Sequence, residues 1–261
     1  MRAMNIAATG MQAQQTNVEV ISNNIANMNT TAYSRRRPEF TDLLYQNMKR
    51  VGSNSSDNNT IVPSGIQLGL GVRTAAVFRD TEAGSLTNTG NTLDLAVQGK
   101  GYFQVLLPSG ETAYTRGGAL SLSPQGQIVT SDGYTVQPGI TVPTNATGVS
   151  VNASGQVSIS LSGQVAQNVA GQLQLAIFPN EGGLEAQGDN LYLETPASGA
   201  AVVGNPASTG YGSILQGFLE SSNVNVVSEI SNLIGAQRAY EMNSKVIQSC
   251  DEMLQTVNQL K

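Results

Sequence analysis

Four carboxylates lie close together in the sequence, and their residue type could support acid–base or metal chemistry. They are Glu181, Glu185, Asp189 and Glu194. Paired carboxylates can cleave glycosidic bonds, and clusters of carboxylates can bind calcium. The segment lacks the ligand spacing of an EF-hand loop. We therefore predict neither a catalytic pair nor a metal site here.

Nucleophilic catalysis lacks an activating base in this sequence. Histidine is absent, and Cys250 is the single cysteine. This absence removes Ser-His-Asp, Cys-His and His-zinc sites. Cys250 has no second cysteine for an intrachain disulfide and no histidine to activate its thiol, so we predict that it occupies a buried interface position. The sequence predicts no enzymatic activity and no cofactor.

Two glycine pairs and one basic run could contact phosphate. Gly69-Leu70-Gly71 and Gly99-Lys100-Gly101 are each followed by strand-like residues rather than by a helix. We interpret them as turn glycines, because a phosphate loop opens a helix. Arg35-Arg36-Arg37 is an isolated basic run, which favours a solvated or interface turn over a phosphate or membrane site.

The charge content is low. There are 13 basic and 18 acidic residues, giving a net charge of −5, which argues against nucleic acid as a partner. Charged residues make up 12% of the chain, about half the usual share. Such a surface suits a protein that is largely covered by neighbours, and also some secreted β-rich proteins. We predict no membrane insertion and no cleaved signal peptide, because no apolar run approaches ~18 residues and polar residues interrupt the N-terminal window.

Residues 1–34 are predicted to form the helix that opens the chain. Its residues follow a three-four alternation typical of a heptad seam. The seam consists of Met4, Ala7, Met11, Gln14, Val18, Ile21, Ile25 and Met28. Taken alone, this pattern indicates an ordinary core helix.

A second long helix is predicted from Asn223 to Lys261, capped by Asn223 or Asn225. It has two seams, about 100° apart around the axis. The first seam is Val226, Ile230, Leu233, Gln237, Tyr240, Ser244, Ile247, Asp251 and Leu254. The second seam is Ala236, Ala239, Asn243, Val246, Cys250, Met253, Val257 and Leu260. One partner helix needs one seam, so two seams predict neighbours on two sides, and the polar members favour interfaces over a dry core.

Between the helices the apolar period changes to two. Val157, Ile159 and Leu161 alternate with serines, and Gly-bearing turns separate such runs. An antiparallel β domain is predicted over residues 66–217. Residues 47–64 are polar and by composition indicate a flexible linker, while residues 196–213 indicate an exposed loop.

The predicted fold class is α+β. Long N- and C-terminal helices pack as a coiled-coil-like pair around an all-β middle domain. The predicted segments are the N-terminal helix, an extended connector, the β domain and the C-terminal helix, at residues 1–34, 35–65, 66–217 and 218–261.

The ends of the chain resemble the rod and hook family of flagellar axial proteins. The run from Ser22 to Tyr33 is similar to the family's N-terminal signature, with Ala32 where the family usually has glycine. Residues 219–226 and 237–245 resemble the C-terminal signature, which residues 251–254 continue. The motif residues are Asn23, Asn24, Ala26, Asn27, Thr30, Tyr33, Ser222, Asn223, Val224, Gln237, Arg238, Tyr240 and Asn243.

The middle of the chain is similar to the distal rod members of this family. The similar segments are residues 42–46, 63–73, 93–103 and 114–118, with Gly117 where aspartate is common. Hook members typically carry an extra outer domain, and proximal rod members typically lack most of the β domain.

This resemblance implies a structural subunit of the distal rod, which polymerises helically into a rigid shaft that transmits motor torque to the hook. The terminal helices of successive subunits would form an inner tube, with the β domain as the outer wall. The predicted subunit-interface residues are Met4, Met11, Val18, Ile21, Ile25, Met28, Val226, Ile230, Leu233, Tyr240, Val246, Ile247, Cys250, Met253 and Leu254.

The resemblance also implies partners and a location. The partners are further copies of this chain, proximal rod subunits, hook or hook-junction proteins, and the surrounding L- and P-ring proteins. Export would use the flagellar type III apparatus, and the rod would cross the periplasm. A stretch at about residues 46–65 would stiffen the rod, contrary to the linker interpretation. It contains Asn47, Ser53, Asn54, Ser55, Asn58, Asn59 and Pro63.

Three alternatives remain open on the sequence. The chain could be a hook or another rod subunit of the same axial family, a secreted β-rich adhesin, or a carboxylate-based hydrolase. A hook would carry a larger middle domain. An adhesin would not need helical seams at both termini, and a hydrolase would lose activity on carboxylate mutation without changing its oligomeric state.

Overall fold

The computed structural model describes residues 2–49, 65–161 and 168–259. Along the chain, the strands lie between two long helices, α1 (Arg2–Ala26) and α2 (Val226–Gln259). Every strand pairing in the described residues is antiparallel. The predicted α+β class is confirmed. Neither described helix has an apolar stretch long enough to span a bilayer.

The strands are short and separated mostly by turns. Their bounds are β1 (Arg36–Asp42), β2 (Tyr45–Lys49), β3 (Ile66–Gly69), β4 (Val72–Arg79), β5 (Leu86–Asn88), β6 (Leu95–Gln98), β7 (Tyr102–Leu106), β8 (Thr112–Thr115), β9 (Leu120–Leu122), β10 (Ile128–Thr130), β11 (Thr135–Val136), β12 (Ala146–Val151), β13 (Gln156–Leu161), β14 (Asn168–Gln172), β15 (Leu175–Ile177), β16 (Glu185–Gly188), β17 (Leu191–Leu193), β18 (Val202–Gly204), β19 (Ser213–Gln216) and β20 (Phe218–Glu220). A 3-10 helix spans Glu181–Gly183.

The chain divides into two compact units. The helical unit comprises Met1–Ala26, Arg36–Arg79 and Asn225–Lys261, and the β unit comprises Asn27–Arg35 and Asp80–Val224. The backbone therefore passes from one unit to the other at four places: after Ala26, Arg35, Arg79 and Val224. This division differs from the predicted start of the β domain at residue 66, because β3 and β4 belong to the helical unit.

In the helical unit, α1 and α2 pack together and α1 also contacts the ladder of β1 and β4. The ladder has a bulge between Glu39 and Phe40. Gly71 has φ +121° and lies against Thr9, whose Oγ1 accepts a hydrogen bond of 3.4 Å from the Val72 N–H. A side chain at Gly71 would collide with Thr9, so this turn requires glycine.

The β unit is built around one large sheet. Its order is β16-β17-β8-β7-β11-β10-β9, with β15 pairing with β7 and with β18, and the three-stranded sheet β12-β13-β14 is separate. Phe103, Val157, Leu173, Leu175 and Ile214 are fully buried members of one core cluster. The alternation noted at Val157 and Ile159 thus marks a strand that buries one face.

A second cluster in the β unit is aromatic. The rings of Tyr102 and Tyr192 meet edge-on at 6.0 Å, and those of Tyr114 and Phe178 at 4.8 Å. Such edge-to-face pairs add to the burial of their area. Burial, followed by the negative charge of Glu194, raises the pKa of Tyr114.

Three local predictions differ from the structure. The first helix ends at Ala26, not residue 34, because Asn27 and Thr30 form a turn in which the Thr30 N–H and Oγ1 bond to Asn27 at 3.1 Å. The connector at residues 35–65 contains β1 and β2. The predicted loop at residues 196–213 contains β18, which pairs with β15.

The last predicted segment also begins differently. Residues 218–220 form strand β20 rather than helix, and α2 starts at Val226. The Asn225 side chain accepts a hydrogen bond of 3.2 Å from the Ser228 N–H. Asn225 is therefore the N-cap, which decides between the two capping residues that the sequence left open.

Candidate subunit interface

The two long helices run antiparallel in the helical unit. Asn24, near the end of α1, contacts Glu229 at the start of α2, and Gly10 lies against Asn243. Contacting residues thus have decreasing numbers in α1 and increasing numbers in α2, as in an antiparallel pair. A Cβ on Gly10 would lie 2.9 Å from the Asn243 amide nitrogen, so glycine allows the close approach of the two helices at this point.

Within the helical unit, the two helices bury small and polar residues more than large apolar ones. The buried residues of α1 are Ala7, Ala13, Ile21 and Asn24. Those of α2 are Glu229 and Ala236. A helix pair stabilised by burial alone would bury large aliphatic side chains. Much of the large apolar surface of α2 is therefore left outside the pair.

Asn24, Arg36 and Glu229 form a hydrogen-bonded group that we call the Asn24 cluster. The Asn24 Oδ1 accepts from the Arg36 N–H at 2.9 Å, and its Nδ2 donates to the Arg36 carbonyl at 2.8 Å. Nδ2 also donates to Oε2 of Glu229 at 3.1 Å. Asn24 and Glu229 are each 1% exposed. One amide thus satisfies the backbone of β1 and a buried carboxylate.

In the β unit, the side chain of Asn223 also bonds to backbone groups of distant segments, and we call this group the Asn223 cluster. The Asn223 Oδ1 accepts from the Arg35 N–H at 2.7 Å. Its Nδ2 donates to the carbonyls of Asp80 at 3.3 Å and Glu82 at 2.8 Å. Three chain segments that are distant in the sequence are held by this one side chain.

Helix α2 extends past the start of α1. From the register of the Asn24–Glu229 and Gly10–Asn243 contacts, Arg2 lies near the level of Asp251. Residues 252–259 therefore continue beyond α1 by about 12 Å at ~1.5 Å per residue. Met253, Leu254 and Val257 in this extension are exposed.

The predicted interface residues fall into three groups by exposure in the single chain. Ile21 alone among them is buried. Half-buried members are Met4, Met11, Val18, Ile25, Val226, Leu233, Ile247 and Cys250. Exposed members are Met28, Ile230, Tyr240, Val246, Met253 and Leu254. Met28 lies beyond the end of α1 and belongs to the β unit, so it does not share the helical face of the others. Their role as subunit contacts stays a prediction.

A groove of about 540 Å³ follows the helix pair. It is lined by Gln15, Val18, Glu19, Gln237, Tyr240 and Glu241. The lining mixes apolar atoms with amides and two carboxylates. Such a composition resembles a protein contact surface with a polar rim more than an enclosed ligand cavity.

The family-motif residues are split between the two clusters and the helix surface. Asn24 and Asn223 make the bonds described above, and Asn243 faces Gly10. The Asn223 N–H donates to the Tyr33 carbonyl at 3.4 Å. Residues on the exposed surface are Asn23, Ala26, Gln237, Arg238 and Tyr240. Half-buried ones are Asn27, Thr30, Ser222 and Val224.

Glu229 was missed by the sequence interpretation. A glutamate in the first turn of a helix usually needs no partner, because the helix dipole already favours it there. Its partner Asn24 is 205 residues away in the chain, so neither spacing nor periodicity could indicate this contact.

The segments considered for chemistry have structural partners. Glu181 accepts a hydrogen bond of 3.1 Å from the Tyr102 hydroxyl, and Glu194 accepts one of 3.2 Å from the Ala201 N–H. Within the described residues, no group of three metal-ligating side chains occurs. Gly99 and Gly101 have φ of +108° and +140°, which confirms that they are turn glycines.

The stretch predicted to stiffen the assembly is described only at its edges. Asn47 lies exposed in β2 and pairs with Gln67 of β3. The other predicted residues, Ser53, Asn54, Ser55, Asn58, Asn59 and Pro63, lie outside the described residues. Next to them, Leu44, Tyr45, Met48, Ile66 and Leu68 are exposed.

Three protein-family descriptions match parts of the chain. "Flagella basal body rod protein" matches residues 4–33, "Flagellar hook protein FlgE/F/G D1 domain" matches residues 96–159, and "Flagellar basal body rod FlgEFG protein C-terminal" matches residues 215–260. The first and last of these contain α1 and α2 almost entirely.

Full-length relatives agree with these matches. The chain is 60% identical over its whole length, and that of the relative, to the flagellar basal-body rod protein FlgG of Caulobacter vibrioides. It is 52% identical to the protein of the same name from Agrobacterium fabrum, over 99% of this chain and 98% of the relative. With that of Bacillus subtilis it shares 37% identity, over 100% of this chain and 99% of the relative.

Proposed function

The chain belongs to the family of flagellar basal-body rod proteins FlgG, and from this membership we propose that it is a structural subunit of the distal rod. Its subunits assemble helically into a rigid shaft that transmits the torque of the motor to the hook. Its role is mechanical, so the residues that matter are those that contact neighbouring subunits rather than a reaction centre.

The observation that carries this proposal is the unburied apolar surface of α2. Val246, Met253 and Val257 lie on one predicted seam, and Ile230 and Leu254 on the other, and all five are exposed in the single chain. Exposed apolar residues in such number mark an interaction site. Asn243 of the second seam lies against Gly10 of α1 in the same chain, so the surface proposed for neighbouring subunits is formed by the exposed residues of the two seams. Contacts that do not close generate a helical polymer.

The proposed partners follow from the position of the distal rod. At its inner end the shaft meets proximal rod subunits, and at its outer end it meets hook or hook-junction proteins. The L- and P-ring proteins surround it. Subunits reach the growing end through the flagellar type III export apparatus and add to the rod that crosses the periplasm.

We further propose that residues 46–65 brace neighbouring subunits and stiffen the rod. The exposed apolar residues on either side of this stretch, Tyr45, Met48 and Ile66, support a role in contact rather than as a free linker.

Labelling of purified hook-basal bodies tests the proposal. An epitope inserted at Ser109–Gly110 lies in the exposed β7–β8 turn, where Gly110 has open space around it. The turn is preferable to residues 196–213, which contain the paired strand β18. Gold on the shaft between inner and outer rings is the expected result.

Other labelling patterns decide the alternatives. Gold along the external hook would assign the chain to the hook. Gold nearer the inner membrane would assign it to a proximal rod position. Complete hook-basal bodies that carry no gold, from cells whose tagged protein is secreted and accessible, would favour the secreted adhesin.

A further inference from the structure

The Asn24 cluster and the Asn223 cluster lie at the points where the chain leaves each unit. The backbone passes between the units after Ala26, Arg35, Arg79 and Val224. Asn24 is two residues before Ala26, where the first crossing occurs, and Asn223 immediately precedes Val224, where the last one occurs. The hydrogen-bond partners of each asparagine are close to the other crossings, and always on the asparagine's own side.

On the helical side, Asn24 holds the first residue after the second crossing. It bonds to both backbone groups of Arg36, at 2.9 and 2.8 Å, as a neighbouring strand would. Its third bond reaches Glu229, in the first turn of α2. Glu229 is four residues after Asn225, the first residue of the helical unit after the last crossing. The ends of α1, β1 and α2 are thereby fixed to one another inside the helical unit.

On the β side, Asn223 holds the last residue before the second crossing and the first residue after the third. It accepts from the Arg35 N–H at 2.7 Å and donates to the Asp80 carbonyl at 3.3 Å. Its other amide hydrogen reaches the Glu82 carbonyl at 2.8 Å. The Asp80 N–H also donates to the Arg35 carbonyl at 2.8 Å. The residues of the β unit next to the second and third crossings are therefore bonded directly to each other as well.

We propose that Asn24 and Asn223 are positioning residues that anchor the connecting segments. Anchored in this way, the segments transmit force from one unit to the other without first extending or rotating. This rests on the proposed function as a torque-transmitting subunit. Arg35 and Arg36 are consecutive, and their backbone N–H groups are held from opposite units by Asn223 and Asn24. The peptide between them therefore has an anchor on each side.

Asparagine suits this task because of its donors and acceptor. The amide offers two N–H groups and one carbonyl oxygen on a short side chain with little rotational freedom. Aspartate at either position would keep the acceptor and lose both donors. At residue 24 it would also place a second carboxylate next to buried Glu229, where like charges repel. Glutamine would keep the groups but displace them by one methylene.

Hydrogen exchange of the full-length chain, read at single amides, is the first test. Asn24→Ala removes the acceptor of the Arg36 N–H, and Asn223→Ala removes that of the Arg35 N–H. We expect exchange of the corresponding amide to accelerate at least tenfold in each variant. Asn29→Ala, an exposed asparagine of the same chain, is the control and should change neither amide.

Exchange in the core separates local anchoring from general destabilisation. In both variants the amide of Phe103 in β7 should keep its protection. Unchanged exchange at Arg35 and Arg36 overturns the proposal, and so does an equal acceleration at Phe103. Asn24→Asp should accelerate exchange at Glu229 and neighbouring residues of α2, and Asn24→Asp with Glu229→Gln should reverse this, because the glutamine amide can donate to the new carboxylate.

Swimming under load tests the mechanical part. Cells that produce Asn223→Ala are expected to assemble hook-basal bodies and to swim at the parental speed in dilute medium, but at less than half of it in viscous medium. Equal speeds under load, or a loss that Asn29→Ala shows as well, overturn the mechanical claim. If Asn24→Ala fails to assemble, Asn24→Asp is compared with the double variant Asn24→Asp, Glu229→Gln instead. Assembly that is lost in the single variant and restored in the double variant supports the anchoring role.

The two hypotheses can fail separately. Absence of gold from the rod in hook-basal bodies from cells whose chain carries the epitope and no other change would contradict the proposed function while leaving the exchange results intact. Gold on the rod, together with unchanged exchange at both amides, would contradict only the anchoring role.

Discussion

The guanidinium of Arg116 and the carboxylate of Glu220 form an ion pair inside the β unit, with Nε 2.9 Å from Oε2. The side chains are 7% and 6% exposed. Arg116 also donates to the carbonyls of Val97 and Gly99, at 3.3 and 3.1 Å. The Gly84 N–H donates to Oε1 of Glu220 at 3.0 Å. This pair therefore connects β6 and the segment after β8 to β20, the strand that precedes α2.

Removal of one partner should strongly destabilise the β unit. Glu220→Ala leaves the Arg116 charge buried without its carboxylate, which costs about 3–5 kcal/mol. Urea unfolding followed by the fluorescence of the buried tyrosines measures this loss. The control is Glu39→Ala, which breaks the exposed pair with Arg37 at 3.5 Å and should change unfolding free energy by less than about 0.5 kcal/mol. Equal effects of the two substitutions would contradict the assigned importance of burial.

Two alanines with left-handed backbone should respond differently to glycine. Ala32 has φ 57° and is 3% exposed, while Ala207 has φ 61° and is exposed. Glycine relieves a strain of about 1–2 kcal/mol but loses about 0.4–1 kcal/mol through the unfolded chain. Ala207→Gly should therefore stabilise by about 0.5–1 kcal/mol. Ala32→Gly also removes a buried methyl worth about 0.8 kcal/mol, so it should be nearly neutral.

Thermal unfolding of the two variants checks this difference. Ala113→Gly in strand β8 is the control, because its buried alanine has no left-handed backbone. It should destabilise. A larger gain from Ala32→Gly than from Ala207→Gly would show that the buried methyl is not well packed.

Proline should be tolerated at the first position of α2 but should disrupt either helix when it is placed in the interior. Val18→Pro and Ile247→Pro each remove a helical hydrogen bond and clash with the preceding turn, at about 3 kcal/mol or more. Val226→Pro places the ring at the first residue of α2, after the Asn225 cap, where proline is tolerated. Electron microscopy of hook-basal bodies should show complete rods with Val226→Pro and none with the other two. Normal rods with Ile247→Pro would contradict the packing of α2 in the assembly.

Charged substitutions on the exposed seam should block assembly without affecting the monomer. Met253 is 60% exposed and Val246 is 44% exposed, so aspartate at either should change monomer unfolding by less than about 0.5 kcal/mol. Buried in a subunit interface, the same carboxylate would lack a partner and cost several kcal/mol. Gln248→Asp, exposed and off both seams, is the matched control. Rod assembly in a deletion strain should fail with the first two variants and succeed with the control.

The prediction from the sequence was accurate where periodicity determined the structure. Val157 and Ile159 alternate with serines and lie in a strand that buries one face. The two helices were indicated by their seams, and Asn225 by its residue type before an apolar run. In each case the signal is local, so neighbouring residues suffice to produce it.

The prediction was less accurate where hydrogen bonding by short polar side chains competed with periodicity. The N-terminal seam continued to Met28, yet the helix ends at Ala26, because Asn27 and Thr30 bond within a turn. The sequence does contain a signal for this end, a cluster of asparagines and threonines at residues 27–31. Strand β1 was not recognised, because it contains Pro38 and is almost entirely exposed, so no alternation is visible.

The contacts of Asn24 and Asn223 could not be predicted from the sequence in any detail. Both residues belong to the family motifs, but their partners lie 12 to 205 residues away. Hydrogen bonds of this kind depend on the tertiary fold, and a single sequence gives no account of them.

The antiparallel packing of α1 and α2 also has a kinetic consequence. The segments that form this pair are separated by about two hundred residues, so the contact is of very high contact order and its loop closure is slow. A nascent chain on the ribosome can fold β hairpins as they emerge, but it cannot form the helix pair until α2 has been synthesised. For most of its synthesis, α1 therefore lacks its antiparallel partner, and the helical unit is the last part of the molecule to become complete.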